Sequence, residues 1–466
     1  MKQHPPISSG LAMTLVLGLS SVLAGCAAPT HTASTTPLQA HALGLSDTPS
    51  PAVNNAWWRH WNDPQLDHLI AQTLQGSPSM AEAQARVQRM QALSGLADAA
   101  SLPQATLGGE FSRQRYSANG LFPPPIAGRT WSNDTLQAGV GWNPDLWGQH
   151  RAELASAIGQ VRAAQADAAA AANALVHQVV RGHVALARLL AQRDVAERVV
   201  QQRQQMQQLV QQRREAGLDT RIEQAQSDST LADAAAQAEG LKEQITLTRH
   251  QLAVLSGQAP QALDAWSPRL DALRLEAMPA TLGADLLGRR PDVVAARERV
   301  AAAQAALQAA QALRSADPSI GATFDHYPDG TRTNRLLGLR ISIPLNGWQR
   351  FDGEIGRALA QEQQSQDLLQ KTRVQARSEL MALMQGWQAS AGRLRIYDEQ
   401  IIPQATQVAA QAELAYNKGG LTLIDLLDAR RTLRTTQLEA LAVRNEHAKA
   451  LGSWQLRSAP PDTNTP

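Results

Sequence analysis

The chain has 466 residues, enough for about three ordinary domains, and its 43 basic against 41 acidic residues leave a formal charge of +2, which argues against a dedicated nucleic-acid binder. Hydrophobic residues reach 43% but aromatics only 4%, so this alanine- and glutamine-rich composition suits long helices in close contact better than one large globular core. A single cysteine, Cys26, excludes an internal disulfide, a multi-cysteine zinc site and a thiolate-held iron–sulfur cluster.

The N-terminus reads as a targeting signal. Lys2 and His4 make a short polar start, and Leu11 to Leu23 is an apolar run of 13 residues. That is too short to span ~30 Å of hydrocarbon and suits the apolar region of a signal peptide. The run ends in Leu23-Ala24-Gly25-Cys26, which resembles a bacterial lipobox. The resemblance implies a signal peptide over 1–25 and acylation of Cys26 as the first mature residue. Ala27 follows, and not the aspartate that favours inner-membrane retention, so the implied destination is outer-membrane lipid. More than one acyl chain would anchor stably, at ~0.8 kcal/mol per buried CH₂. Residues 26–63 are expected to form a tether, rich in Pro, Ser, Thr and Ala up to 56. Trp57, Trp58 and Trp61 at its end are expected to pack it onto the assembly.

Two alternating segments follow. Over about 103–113, Ala105, Leu107 and Phe111 oppose Thr106, Glu110 and Ser112. Over about 135–143, Leu136, Ala138, Val140 and Trp142 oppose Gln137, Gly139, Gly141 and Asn143. Pro144 ends the second strand. From Gly148 to about Arg213 there is no proline and little turn chemistry; at 1.5 Å per residue such a helix is ~100 Å long. Leu175, Val179, Gly182, Leu186 and Leu189 recur at spacings of 4, 3, 4 and 3, a coiled-coil stripe. Gly217-Leu218-Asp219-Thr220 turns the chain into another helix, with the glycine suited to a left-handed helix C-cap.

The second half repeats this order. Arg289-Arg290-Pro291-Asp292 is helix-start chemistry. Strands are expected over about 318–326 and 336–343. Ile320, Ala322 and Phe324 oppose Gly321, Thr323 and Asp325; Leu337, Leu339, Ile341 and Ile343 oppose Gly338, Arg340 and Ser342. Pro344 leads to a second long helix that Pro403 should break or kink. Gly419-Gly420-Leu421-Thr422 matches the first turn, and the strand blocks ending in Pro144 and Pro344 are offset by 200 residues. The chain therefore reads as a duplication, 64–258 and 284–456, with a flexible tail over 457–466.

Strands of about 9–11 alternating residues fit a transmembrane sheet, although alternation also fits a half-buried soluble one. Ten of the 18 aromatics fall within 103–147 or 318–351, several at strand ends, which favours the membrane girdle. A sheet in lipid cannot leave edges unpaired, and known barrels begin at about eight strands. Four strands in one chain then force oligomerisation. Glu110, Asp325 and Arg340 fall on the polar faces and are expected to line the lumen. Loop 114–134, longer than its counterpart 327–335, and that counterpart are placed outside the cell.

These features resemble the TolC-like outer-membrane efflux proteins, most closely their NodT-type lipoprotein branch. The resemblance rests on the lipobox, on Trp57-Trp58-Arg-His-Trp61-Asn-Asp63-Pro64-Gln-Leu66 and on Gly288-Arg-Arg-Pro-Asp292. It also rests on the paired strand blocks and on Tyr416-Asn-Lys-Gly419-Gly-Leu-Thr-Leu-Ile-Asp425-Leu-Leu-Asp428-Ala-Arg430. It runs from residue 26 to about 455. It implies a homotrimer in which four strands per chain build a twelve-stranded barrel continued by a periplasmic helical tunnel. It implies an exit duct docked to a periplasmic adaptor and an inner-membrane pump, of the resistance-nodulation-division class, with no cofactor and no nucleic acid.

The same resemblance places Asp425 and Asp428 at a periplasmic gate. Three apart on one helix, they share a face, and three chains would bring six carboxylates to the axis. Tyr416 matches a position that helps hold the constriction closed. Leu421 stands where the family's best-known member has a basic latch residue. In the first repeat Glu223 and Gln226 occupy the places of Asp425 and Asp428, so the acidic ring belongs to the second half. The turns at Gly217 and Leu218 and at Gly419 and Gly420 are expected to face the adaptor. No enzymatic motif appears: H-E-x-x-H, G-x-S-x-G in the mature chain and the phosphate loop are all missing. The competing readings are a soluble periplasmic coiled-coil scaffold or adaptor, which would stay soluble without detergent, and a carboxylate-dependent hydrolase, which would need Asp425 and Asp428.

Overall fold

The computed structural model describes residues 56–273, 288–315, 317–326, 333–342 and 348–458. Cys26, the signal and most of the tether, Tyr327, Ile343, Pro344, Leu345 and residues 459–466 lie outside them. A 3-10 turn, Trp57–Trp61, leads into helix α1 (Pro64–Gly76) and α2 (Pro78–Ala100). Strands β1 (Gln104–Arg115) and β2 (Thr130–Trp142) follow, then α3 (Gln149–Glu215) and α4 (Arg221–Leu255). The second half runs α5 (Pro291–Ala312), β3 (Asp317–His326), β4 (Thr333–Ser342), α6 (Trp348–Ile396), α7 (Ile402–Asn417) and α8 (Leu423–Ser458). Helix, strand pair, long helix, turn and helix thus occur twice in one order.

Helix α3 is 67 residues long, or ~100 Å. Its counterpart is α6 of 49 residues, a five-residue π-helical turn (Tyr397–Ile401) and α7 of 16. Pro403 sits in the first turn of α7. Its missing N–H and its ring are absorbed by widening the preceding turn, so the α-helix is interrupted and then resumes. The stripe expected on α3 is buried at Leu175, Val179, Leu186 and Leu189. Gly182 belongs there for space: a Cβ on it would lie 2.6 Å from Leu252 Cδ2 of α4. Gly159 likewise lets α5 approach, since a Cβ would meet Ala302 Cβ at 2.9 Å. Alanine faces, such as Ala295, Ala296, Ala302 and Ala303 of α5, keep the helices close.

The end of the tether is part of this bundle. Trp57 and Trp61 are buried with Val179, Val180 and Val184 of α3, Leu252 of α4 and Ala448 of α8. The Trp61 indole N–H donates to Gln455 Oε1 at 3.0 Å, and the ring lies against Gly452. The tryptophans therefore pack onto their own chain, so Trp57 and Trp61, within the stretch expected as tether, belong to the bundle. Asp63 caps α1 by accepting the N–H groups of Gln65 and Leu66 at 2.9 and 3.1 Å. Its other oxygen lies 2.8 Å from Nε2 of the buried His183, whose Nδ1 accepts the Trp266 indole N–H at 3.4 Å. Burial pulls the Asp63 carboxyl up, but the His183 bond and the two backbone N–H groups outweigh it and hold the group below its ordinary range. Trp61→Ala should lower bundle stability by about 3–5 kcal/mol, read from the denaturant midpoint of the helical signal. Trp58→Ala, which removes a half-buried ring and its bond to Asp67, should cost clearly less.

The strands form one antiparallel sheet in the order β1-β2-β3-β4. Its register aligns the apolar residues: Leu107 opposes Ala138, Val140 opposes Ala322, and Ile320 opposes Leu339. The apolar face that results is bare, with Leu107 85%, Leu337 81% and Phe111 72% exposed. The opposite face carries Glu110, Gln137, Thr323, Asp325 and Arg340, together with a row of paired glycines, Gly141, Gly321 and Gly338. The outer edges of β1 and β4 have no partner strand among the described residues. Strands β2 and β4 start earlier than expected, at Thr130 and Thr333. Ser132, Asn133 and Asp134 show no alternation, but β1 extends to Arg115 and pairs with them, so the ladder outruns the apolar pattern. The expected tail from 457 is also shortened: Ser458 is buried in α8, and Arg457 pairs with Glu379 at 3.1 Å. No helix among the described residues is long and apolar enough to cross a membrane.

Candidate functional site

The two helical hairpins, α3–α4 and α7–α8, end in matching tips. Gly217 and Gly419 both adopt φ +76°, the left-handed conformation that glycine takes without strain. Leu218 N–H reaches back to Arg213 O at 2.8 Å and Gly420 N–H to Ala415 O at 2.9 Å, which satisfies the last carbonyls of each helix. The turn residues are exposed, Leu218 by 67%, with Ile222 and Ile424 beside them at 77% and 63%. Apolar side chains held this far out of any core need a partner to leave water.

Each tip then restarts with a capping box. Thr220 caps α4, and its backbone N–H donates back to Glu223. In α8, Asp425 Oδ2 accepts from Thr422 N–H at 3.2 Å and from Thr422 Oγ1 at 2.6 Å, while Asp425 N–H donates to Thr422 Oγ1 at 3.2 Å. The Thr422 hydrogen bonds hold the Asp425 carboxyl below its ordinary value. The threonine-x-x-acid pattern at 220–223 and 422–425 was readable as helix-start chemistry, and it gives Asp425 a local task beside any role at an axis. Asp428, one turn on, is exposed on the same side.

Tyr416 lies elsewhere. It is 3% exposed, in a small core with Met206 and Val210 of α3, Ala412 of α7, and Leu423 and Leu426 of α8. The three residues expected at a gate thus divide between two surfaces: Asp425 and Asp428 are exposed on α8, and Tyr416 joins the two hairpins. The Arg213 guanidinium stacks 5.3 Å from the Tyr416 ring centroid, and its Nε–H is shared by both oxygens of Asp219 at 3.1 and 3.0 Å. Burial, followed by the nearby Asp219 charge, raises the Tyr416 hydroxyl above its ordinary range. Sequence reasoning missed Arg213 and Asp219; the only clue was an opposite-charge pair straddling a glycine turn. Arg430 binds Glu413 of α7 at 3.0 Å and ties the second hairpin together.

In the sheet, Glu110 opposes Thr135, Asp325 lies between Gln137 and Asn334, and Arg340 opposes Ser319. All three share the polar face, as the alternation predicts, without forming a cluster. Where the strands enter the helices, Asp145 holds φ +46° and its two oxygens accept the N–H groups of His150 and Arg151, both at 3.0 Å, to start α3.

A sequence model of the family described as outer membrane efflux protein matches residues 69–258 and 282–454. The fusaric acid resistance protein FusA of Burkholderia cepacia is 36% identical over 301 residues, 63% of this chain and 57% of that protein. The match to FusA therefore spans less than two thirds of its length. The pyoverdine export outer membrane protein OpmQ of Pseudomonas putida is 28% identical over 466 residues, 95% of this chain and 98% of that protein. Among solved structures, the outer membrane protein VceC of Vibrio cholerae superposes with a TM-score of 0.80 at 26% identity, covering 88% of this chain and all of VceC. The open state of the Neisseria gonorrhoeae MtrE outer membrane channel gives 0.77 at 20% identity over 90% of this chain and 96% of MtrE, a likeness of fold alone.

Proposed function

Because the chain belongs to the outer membrane efflux protein family, we propose that it is the outer-membrane exit duct of a tripartite efflux system, passing small organic molecules from periplasm to exterior. The sheet carries this reading. It has a bare apolar face, a polar face and two open edges. In lipid each unpaired backbone group costs several kcal/mol, so β4 of one chain pairs with β1 of the next. Three copies close a twelve-stranded barrel with Glu110, Asp325 and Arg340 inside it. The long helices continue the barrel as a tunnel into the periplasm. Asp425 and Asp428 gather at its narrow end, and the apolar tips at Leu218 and Ile424 meet a periplasmic adaptor. A separate inner-membrane pump, of the resistance-nodulation-division class, supplies the energy; this chain performs no reaction and needs no cofactor. The fusaric acid resistance of FusA and the pyoverdine export of OpmQ favour organic cargo.

A strain lacking the gene, complemented with the wild type, tests this against a panel of organic toxicants and metal ions. Hypersensitivity to the organic group, restored by complementation, is expected. A chain that stays soluble without detergent and gives no conductance in planar bilayers would return the periplasmic scaffold reading. Lipidation is tested separately. Cys26→Ala should abolish fatty-acid labelling and spare trimer assembly, because the barrel itself holds the membrane; loss of all assembly would contradict that.

A further inference from the structure

We propose that Arg113 and Arg115 of one protomer and Arg335 of the next form, at each of the three seams of the barrel, a site for the phosphate groups of outer-leaflet lipid. This rests on the duct reading given above. Leu107, Ala138, Phe324 and Arg335 oppose one another in a single row across the four strands. Counted from that row toward the loops, the outward-facing side chains turn from apolar to charged six residues on at Arg113, four on at Asp134, two on at His326, and at Arg335 itself. The border toward the helices slants the same way, through Ala105, Trp142 and Pro318. Barrel strands tilt by about 35–45°, so a band level with the membrane must cross successive strands at shifted residues. The four charged residues therefore stand at one height, just outside the hydrocarbon on the loop side.

Charge at that height is sorted by face. The outward side carries Arg113, Arg115, His326 and Arg335, all exposed, against Asp134 as the one acid among the described strand residues there. On the inward side the acids stand instead, Glu110 and Asp325, and Ser112, Gln114 and Asn334 next to them are uncharged. Among the described residues Arg113, Arg115 and Arg335 make no ion pair. The Arg335 guanidinium lies 5.8 Å from the centroid of the Phe324 ring, the last apolar outward position of β3. An aromatic ring below and a guanidinium above match a lipid whose acyl chains hang beneath a phosphate. β1 and β4 are the edges that meet when the barrel closes, so Arg335 of one chain comes beside Arg113 and Arg115 of its neighbour. Asp134, on β2, stands on the far side of β1 from that seam. Three guanidinium groups without an acid between them suit bidentate capture of phosphate.

The test uses full-length trimers in detergent micelles. It measures binding of lipid A, a glucosamine lipid with two phosphates, and of the same lipid stripped of phosphate. The wild type should bind the phosphorylated form roughly tenfold or more tightly, at three equal sites per trimer. Arg113→Gln and Arg335→Gln should each weaken all of those sites about fivefold. Arg113→Lys should keep most of the affinity lost in Arg113→Gln, and Arg86→Gln, at an exposed arginine of α2, should leave binding unchanged. Equal affinity of the wild type for the two lipids would overturn the proposal. So would a single variant that leaves some sites tight, because the arginines would then serve separate sites. Displacement of the lipid by millimolar inorganic phosphate at matched ionic strength would assign the arginines to a soluble anion and overturn it too. If a glutamine variant fails to assemble, the comparison of the two lipids and the phosphate competition on the wild type decide. Failure of the duct reading looks different: the chain would stay soluble without detergent and bind neither lipid.

Discussion

Alanine at both Asp425 and Asp428 should raise the conductance of the trimer in planar bilayers and lower its preference for cations several-fold. Six carboxylates at one level of a narrow axis attract cations and repel anions, and a water-filled constriction within a Debye length of about 8 Å leaves much of that field unscreened. Asp425 also caps α8 through Thr422, so the alanine pair alone would mix charge with local fraying. Asparagine at both positions separates them, because its carbonyl can still accept from Thr422. Loss of selectivity with asparagine as well as alanine assigns the effect to charge; selectivity kept in both removes these residues from the gate. The pH dependence has a definite sign. The hydrogen bonds from Thr422 depress the Asp425 carboxyl, so its share of the field persists as pH falls through the ordinary value of 3.8 and is lost only below it.

The second large effect concerns the faces of the sheet. Arginine at Leu339, 67% exposed on the apolar face of β4, should cost ~2–4 kcal/mol at each of three copies if that face meets lipid. Leu339→Arg should therefore nearly abolish detergent-extractable trimer in the outer membrane. Thr323→Arg, on the opposite face of the adjoining strand, should assemble and change only conductance. Equal damage from both would mean that the apolar face is covered by protein, as in a soluble sheet.

Much of this was legible in the residues. Alternation fixed which side chains share a face, because the side-chain period of a strand is two and a slip would carry Leu339 or Val140 across the sheet. Proline-free sequence with a 4-3 apolar stripe gave α3 nearly to the residue. What was not legible depended on partners distant in sequence. The polar start of β2 is a strand only because β1 pairs with it. Trp61 finds its place through Gln455, 394 residues away. Arg213 is one arginine among many on α3 until the second repeat brings Tyr416 against it. Asp425 shows a different limit: its capping geometry is written in Thr-x-x-Asp, but that local pattern says nothing of where the carboxylate stands in an assembly.

The paired glycines of the sheet have a consequence for what can pass. Gly141, Gly321 and Gly338 stand side by side across three strands, close to the ends that enter the helices. Tripled around the proposed barrel, they make a collar of bare backbone on the inner wall. A cargo leaving the tunnel meets no side chains from nine of the twelve strands at that level, so the bore there is as wide as the strands allow. Sieving by size is thus pushed away from the membrane and down to the helical tips. In the proposed duct, a molecule that clears the gate at the tips finds no obstacle in the glycine collar.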